Sequence, residues 1–288
     1  AAMSAPKLGS KLPMVTDAVL RKCDGLDGVM DQVLENPLRC KFDPAELQCK
    51  SGDDAACLNL NEVTALQKIY SGPRLKDGTQ VFPGLPVGGE SIPANWDLWI
   101  MSEKSLQAGM GEEFLRWMVY ADPKWNKSQF DIDRDYAVAM ERAAPIVDSD
   151  DPDLSGFLSK GGKLIIHQGW ADAAVSPGST LNYYNALRKK VGAVADEQVR
   201  LFMVPGMLHG SGGVQAPTYY DMLTELDHWV EGGPAPERVI ASRYEKSEAF
   251  ASADRGKALR TRPLCAWPQT AHYIGKGSID DAANFNCK

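Results

Sequence analysis

The sequence predicts an α/β fold: a parallel sheet in the C-terminal half, preceded by an irregular, turn-rich segment. Three observations carry that expectation. Lys163 to Gln168 (KLIIHQ) and Val199 to Val204 (VRLFMV) are short, nearly continuous apolar runs, as expected of strands buried on both faces. Each run is followed by a loop and then a helical pattern, and such alternation closes into a parallel sheet with helices packed on it. Residues 1 to about 150 show no such rhythm.

Taken in order, Pro13 to Lys22 reads as a helix leading into a loop, and Asn61 as the cap of a helix through Tyr70 that Gly72-Pro73 ends. Gly and Pro density between Gly72 and Pro93 predicts irregular structure. The aromatic-rich segments Trp96 to Met101 and Glu112 to Tyr120 read as helical. Ser176-Pro177 places an N-cap and an N1 proline at the start of a helix through about Lys190. Tyr219, Met222, Leu223, Leu226, Trp229 and Val230 recur at helical spacing, and Gly232-Gly233-Pro234 ends that helix. The change of character falls at about residue 150.

The 288 residues are 44% hydrophobic and 24% charged, an ordinary globular composition. No apolar run approaches the ~18 residues that span a bilayer, so no membrane partner is expected. A net charge of -7 argues against binding nucleic acid through bulk electrostatics. The six cysteines, Cys23, Cys40, Cys49, Cys57, Cys265 and Cys287, form sequence-neighbour pairs in loop-like surroundings without metal-type spacing. That pattern favours disulfides and an oxidising compartment, secreted or periplasmic. Neighbour pairing would join 23 to 40, 49 to 57 and 265 to 287; six cysteines allow about fifteen arrangements, so the connectivity stays open. Ala1 to Ser10 lacks the basic and apolar regions of a signal peptide, so the expectation is a chain without its true N-terminus.

In parallel α/β sheets, ligands and catalytic groups gather at loops leaving the carboxyl ends of strands. Here the first such loop, Gly169 to Pro177, carries Asp172, and the second, Pro205 to Gly213, carries His209. Adjacent strands lie ~5 Å apart, so the carboxylate can reach the imidazole, fix its tautomer and support it as a general base. Asp172 as a brace of the turn and His209 as a surface residue are the bland alternatives; their placement on successive strand ends favours catalysis. His167 and His228 read as structural, and His272 as part of a C-terminal loop. Acid before histidine is the order of an α/β-hydrolase, in which the nucleophilic serine comes first, in G-x-S-x-G at a strand-to-helix turn. No G-x-S-x-G occurs, and Ser211, two residues after His209, does not suit an elbow. The serine is therefore expected to precede residue 1.

A second constellation runs from Cys23 to Val33. Asp24, Asp27 and Asp31, loosened by glycines, suit a hard, oxygen-seeking cation such as Ca²⁺, with the carbonyls of Val29 and Val33 completing the shell. The spacing is not that of an EF-hand. A solvated acidic turn is the alternative.

At these residues the sequence resembles the tannase and feruloyl esterase family, which includes mono(hydroxyethyl) terephthalate hydrolases. The marks are Cys23-Asp24-Gly-Leu-Asp27-Gly28, Gly169-Trp-Ala-Asp172 with Ser176-Pro177, and Pro205-Gly-Met-Leu-His209, with weaker echoes at Gln67 to Pro73 and Phe114 to Tyr120. The resemblance implies an α/β-hydrolase sheet with Asp172 and His209 as catalytic acid and base, preceded by a lid, residues 1 to about 145. It implies that Asp24, Asp27 and Asp31, with the carbonyls of Val29 and Val33, hold a structural calcium in that lid. It implies an aromatic acyl group beneath the lid, touched by Trp96, Trp99, Arg116 and Tyr120, with Arg116 placed to pair with a substrate carboxylate. The family usually carries Cys beside the catalytic His; Gly210 stands there instead. The expected activity is that of a serine carboxylic-ester hydrolase on feruloyl, galloyl or phthalate-type esters. An N-terminal chain or segment would supply the serine, leaving this chain inactive alone. A non-catalytic, extracellular calcium-dependent binding module and a hydrolase of non-aromatic esters are the competing expectations.

Overall fold

Leu164–Gly169 (β1) and Val199–Val204 (β2) pair in parallel, Leu164 opposite Val199 through Gly169 opposite Val204. They do so in a computed structural model that describes residues 5–52, 54–101, 104–210, 212–213, 215–246 and 255–288. Ser211 lies outside the described residues. Alternation along β2 sorts its side chains between two cores. Leu201 and Met203 pack with Leu158, Trp170, Leu181, Tyr184 and Leu187, and Phe202 and Val204 with Val239, Ala241 and Leu264. Each large apolar side chain so buried contributes about 1.5–3 kcal/mol.

The helix after β1, Pro177–Val191, begins where Ser176 predicts, its hydroxyl accepting from the Gly178 N–H while donating to the Gly84 carbonyl at 2.6 Å. The helix after β2 starts later than its apolar spacing suggests. Asp221 caps Met222–Val230, its carboxylate accepting from the Thr224 N–H, and Tyr219 instead pairs with Ser242. Beyond Pro234 lie strands that periodicity did not reveal: Arg238–Tyr244 (β3) against Ala258–Cys265 (β4), and Ala271–Tyr273 (β5) against Phe285–Cys287 (β6), both antiparallel. His272, expected in a loop, is in β5. The Trp267 N–H donates to the Leu201 carbonyl, so this C-terminal segment covers the outer edge of β2.

In the first half, Leu8, Leu12, Val15, Val19 and Cys23 line one face of the helix Leu8–Cys23. Burial of that stripe carries the helix through Pro13, its expected start, from Leu8 onward. The next helix, Leu60–Ser71, is capped by Asn59, not Asn61. The Asn59 side chain accepts from the Glu62 N–H while the Glu62 carboxylate accepts from the Asn59 N–H. Gly72, at φ +76°, ends it, and a Cβ there would sit 2.3 Å from the Phe82 carbonyl oxygen. Residues 72–93 are irregular as expected, Trp96–Trp99 is a single helical turn, and Leu106–Glu113 passes into the π-helical turn Phe114–Val119. Ala173, from the loop after β1, packs into the same core as Leu8, Leu12, Leu66 and Trp96.

Three disulfides join neighbours in sequence: Cys23–Cys40, Cys49–Cys57 and Cys265–Cys287. Closing loops of this length stabilises the chain by about 3 kcal/mol each on the loop-entropy account. Among the described residues no helix is long and apolar enough to cross a membrane.

The Lys11 ammonium meets the Glu62 carboxylate at 2.8 Å, 5% and 1% exposed, and so fastens the first helix to the cap of the next. Breaking a buried pair from one side leaves a desolvated charge. Glu62→Ala is therefore expected to cost about 3–5 kcal/mol in a urea melt. The double variant Lys11→Met/Glu62→Leu should recover most of that; failure to recover would show that the cap, not the charge pair, carries the effect.

Candidate active site

The site is set by how closely the two strand-end loops approach. Past β1 and β2 the Trp170 N–H donates to the Val204 carbonyl and the Ala171 N–H to the Met207 carbonyl at 3.0 Å. Gly169 makes this possible, since a Cβ there would lie 2.3 Å from the Met207 oxygen. Asp172 and His209 follow directly on these contacts.

The structure brings those two side chains together: His209 Nδ1 lies 3.0 Å from Asp172 Oδ2. Asp172 is buried, and its other oxygen, Oδ1, accepts from the Ala174 and Val175 N–H groups at 2.8 and 2.9 Å. Oδ2 also accepts from Gln168 Nε2 at 3.0 Å. A carboxylate only accepts, so the imidazole presents its Nδ1 proton to Asp172 and keeps a lone pair on Nε2. The His209 side chain is half exposed, and among the described residues no hydrogen bond engages Nε2. The pair can thus take a proton from a hydroxyl arriving from the solvent side.

Side-chain amides hold the acid loop from the other direction. Asn95 Nδ2 donates to the carbonyls of Gly89 and Ala171, each at 2.8 Å, and Gln107 Nε2 donates to those of Ala173 and Ala174. Sequence reasoning missed Gln168, Asn95 and Gln107. A carboxamide has no characteristic spacing, and these three matter only through what the fold places beside them.

Of the four residues expected to touch an acyl group, Trp99 lies against the pair, its ring edge-on to His209 at 5.4 Å. Trp96 is 1% exposed within the first core. The Arg116 guanidinium is engaged by Glu112, Glu113 and the Trp125 carbonyl. The Tyr120 ring stacks on Trp125 and its hydroxyl donates to Asp135. His167 lies in β1 with its Nδ1 2.9 Å from the Tyr220 hydroxyl, and His228 is helical. Gly210, where the family usually has Cys, is at φ +72°.

The acidic loop places Asp24, Asp27 and Asp31 in buried positions. Asp24 accepts from the Gln32 N–H, Asp27 from that of Val29 and Asp31 from that of Val33. Asp31 Oδ2 also meets the guanidiniums of Arg262 and Arg260. Burial, aided by the nearby Asp31 charge, pushes Asp27 up to about 7, and burial pushes the adjacent Glu35 up to about 8. With Asp27 and Glu35 so raised, ionising all four acids against two guanidiniums would leave the cluster short of positive charge, and hard oxygens are the right donors for a hard cation. Their side chains do not converge, however: among the described residues no three acidic, histidine or cysteine side chains form a ligand set.

A family model described as "Tannase and feruloyl esterase" matches residues 3–288. An uncharacterized esterase of Xanthomonas campestris is 33% identical over 96% of this chain and 54% of its own length. A mono(2-hydroxyethyl) terephthalate hydrolase of Piscinibacter sakaiensis is 33% identical over 96% and 51%. The crystal structure of an esterase from Aspergillus oryzae superposes with a TM-score of 0.84 at 26% identity, over 97% of this chain and 56% of that one. The chain thus spans about half the length of the curated relatives it matches.

Gly169→Ala forces the two loops apart. It is expected to lower stability by about 1–3 kcal/mol in chemical denaturation, as overpacking does. An unchanged midpoint would show that the loops do not depend on this contact.

Proposed function

The chain belongs to the tannase and feruloyl esterase family, and on that premise we propose that it is the acid–base half of a serine carboxylic-ester hydrolase for esters of aromatic acids. The observation that carries the reading is the 3.0 Å contact between His209 Nδ1 and Asp172, with no hydrogen bond to Nε2 among the described residues. A serine hydroxyl from outside these 288 residues attacks the ester carbonyl as His209 Nε2 takes its proton. His209 then returns that proton to the departing alcohol, leaving an acyl-serine. Water, deprotonated by the same nitrogen, attacks the acyl carbon; the acid leaves and the serine regains its proton. Asp172 accepts the hydrogen bond from Nδ1–H throughout and steadies the imidazolium formed in each half-reaction.

Residues 1–145 act as a lid in this reading. Its support is that Asn95 and Gln107 hold the acid loop while Trp99 faces His209. Trp99 supplies an aromatic wall beside the general base, which suits an aromatic acyl group. The printed name of the Piscinibacter sakaiensis relative points to the same substrate class. Three disulfides accord with a secreted or periplasmic protein.

The experiment uses a form with the length of the relatives, assayed on methyl ferulate, a gallate ester and mono(hydroxyethyl) terephthalate. His209→Ala is expected to lower kcat by roughly 10⁴-fold or more, and Asp172→Asn by roughly 10⁴-fold. Near-normal turnover of His209→Ala would overturn the reading, and turnover of aliphatic esters alone would overturn the substrate class.

The acidic loop is proposed to hold a structural calcium through the carboxylates of Asp24, Asp27 and Asp31 and the carbonyls of Val29 and Val33. Its support is the buried acid cluster, which would be short of positive charge once fully ionised. At a hundredfold excess over Kd, calcium should add about 2.7 kcal/mol, raising Tm by roughly 5–10 °C. Asp27→Asn should abolish that shift; a Tm indifferent to calcium and to chelator would dismiss the site.

A further inference from the structure

Asp172 is held by two pairs of donors that do different work. The Ala174 and Val175 N–H groups both reach Oδ1, and a carboxylate gripped at one oxygen still pivots about it. Oδ2, the oxygen that faces His209, takes one further donor, Gln168 Nε2. That second point of attachment fixes the plane of the carboxylate, and with it the direction in which the Nδ1–H of His209 must point.

Gln168 is oriented in turn. Thr180, in the first turn of Pro177–Val191, donates its hydroxyl to Gln168 Oε1 at 3.1 Å. Turning the amide over would set its oxygen against the carboxylate and its NH₂ against the hydroxyl, replacing one attraction by a repulsion of lone pairs. Gln168 Nε2 also lies 3.4 Å from the Gly169 carbonyl, a long contact on the same side. The result is a directional chain from helix to strand to loop: Thr180 to Gln168 to Asp172, met from the far side by His209.

We propose that Gln168, oriented by Thr180, is a positioning residue for the catalytic acid, a proposal that rests on reading Asp172 and His209 as the acid and base. Gln168 touches neither substrate nor His209 in this role; it acts through Asp172. An amide that merely satisfied a buried acid would affect stability, whereas a positioning role appears in turnover. A general base must stay within about 0.5 Å of its productive place, so loss of the second attachment lowers kcat. It leaves KM unchanged, because no substrate contact is lost.

The test is steady-state kinetics on a form with the length of the relatives, with thermal melts of each variant. Gln168→Met keeps the side-chain length and removes the donor; it is expected to lower kcat about tenfold with KM unchanged. Thr180→Val removes only the hydroxyl and should lower kcat about three- to tenfold, while Thr180→Ser, which keeps the hydroxyl, restores it. If Gln168→Met fails to fold, the Thr180 pair carries the test, since both of those variants retain Gln168. Equal kcat for Thr180→Val and Thr180→Ser, or an unchanged kcat for folded Gln168→Met, overturns the proposal. His209→Ala is the separating control: turnover lost there but kept in Gln168→Met refutes the positioning role alone, and turnover kept in His209→Ala refutes the catalytic reading beneath it.

Discussion

The hydrogen bond between Asp172 and His209 joins two loops that the parallel strands already bring side by side. Its length is set upstream of either residue, by a parallel register that puts Gly169 opposite Val204. From that point the chains run on in contact, tied through the Ala171 N–H and the Met207 carbonyl, until the carboxylate and imidazole face each other. Strand pairing thus aligns the pair before any side chain takes part. The apolar residues of β2, divided between two cores, keep that alignment from slipping, because a shift of one residue would turn each of them to the wrong side.

The first half of the chain is bound into the same arrangement. Ala173 is packed among Leu8, Leu12 and Trp96, so the acid loop is partly built into the N-terminal core. Ser176 both caps the following helix and donates to Gly84. Asn95 and Gln107 grip the carbonyls on either side of Asp172. The N-terminal segment is therefore also part of what holds the acid still, and changes there are felt at Asp172 through backbone contacts.

What was legible in the sequence follows from which signals are local. Apolar runs announce strands, so β1 and β2 were visible, and with them the two loops and the Asp–His pair, although only β2 is buried along nearly all its length while β1 is half-buried with His167 exposed. Ser176-Pro177 and Gly72-Pro73 mark helix ends by backbone chemistry alone, and both hold. Where tertiary burial decides, local signals mislead. The apolar stripe from Leu8 carries a helix through Pro13, and the buried partnership of Glu62 with Lys11 selects Asn59 over Asn61 as the cap. β3 and β4 were hidden because arginines interrupt their apolar alternation; one of these, Arg262, lies over the Phe285 ring and pairs with Asp31, more than two hundred residues away in sequence. Trp96 and Trp99 were indistinguishable in sequence, yet one fills the core and the other faces His209. Gln168 carries no local signature, since its role depends on the Thr180 hydroxyl beyond the intervening loop.

On the proposed reading, Nε2 of His209 takes its proton from a hydroxyl outside residues 1–288. The most direct measurement is active-site labelling of the relatives'-length form with a serine-directed aryl phosphonate, read by peptide mass spectrometry. The expected result is one phosphonylated serine outside this chain, with labelling lost in His209→Ala. A label on a serine within residues 1–288, or equal labelling with and without His209, would contradict it.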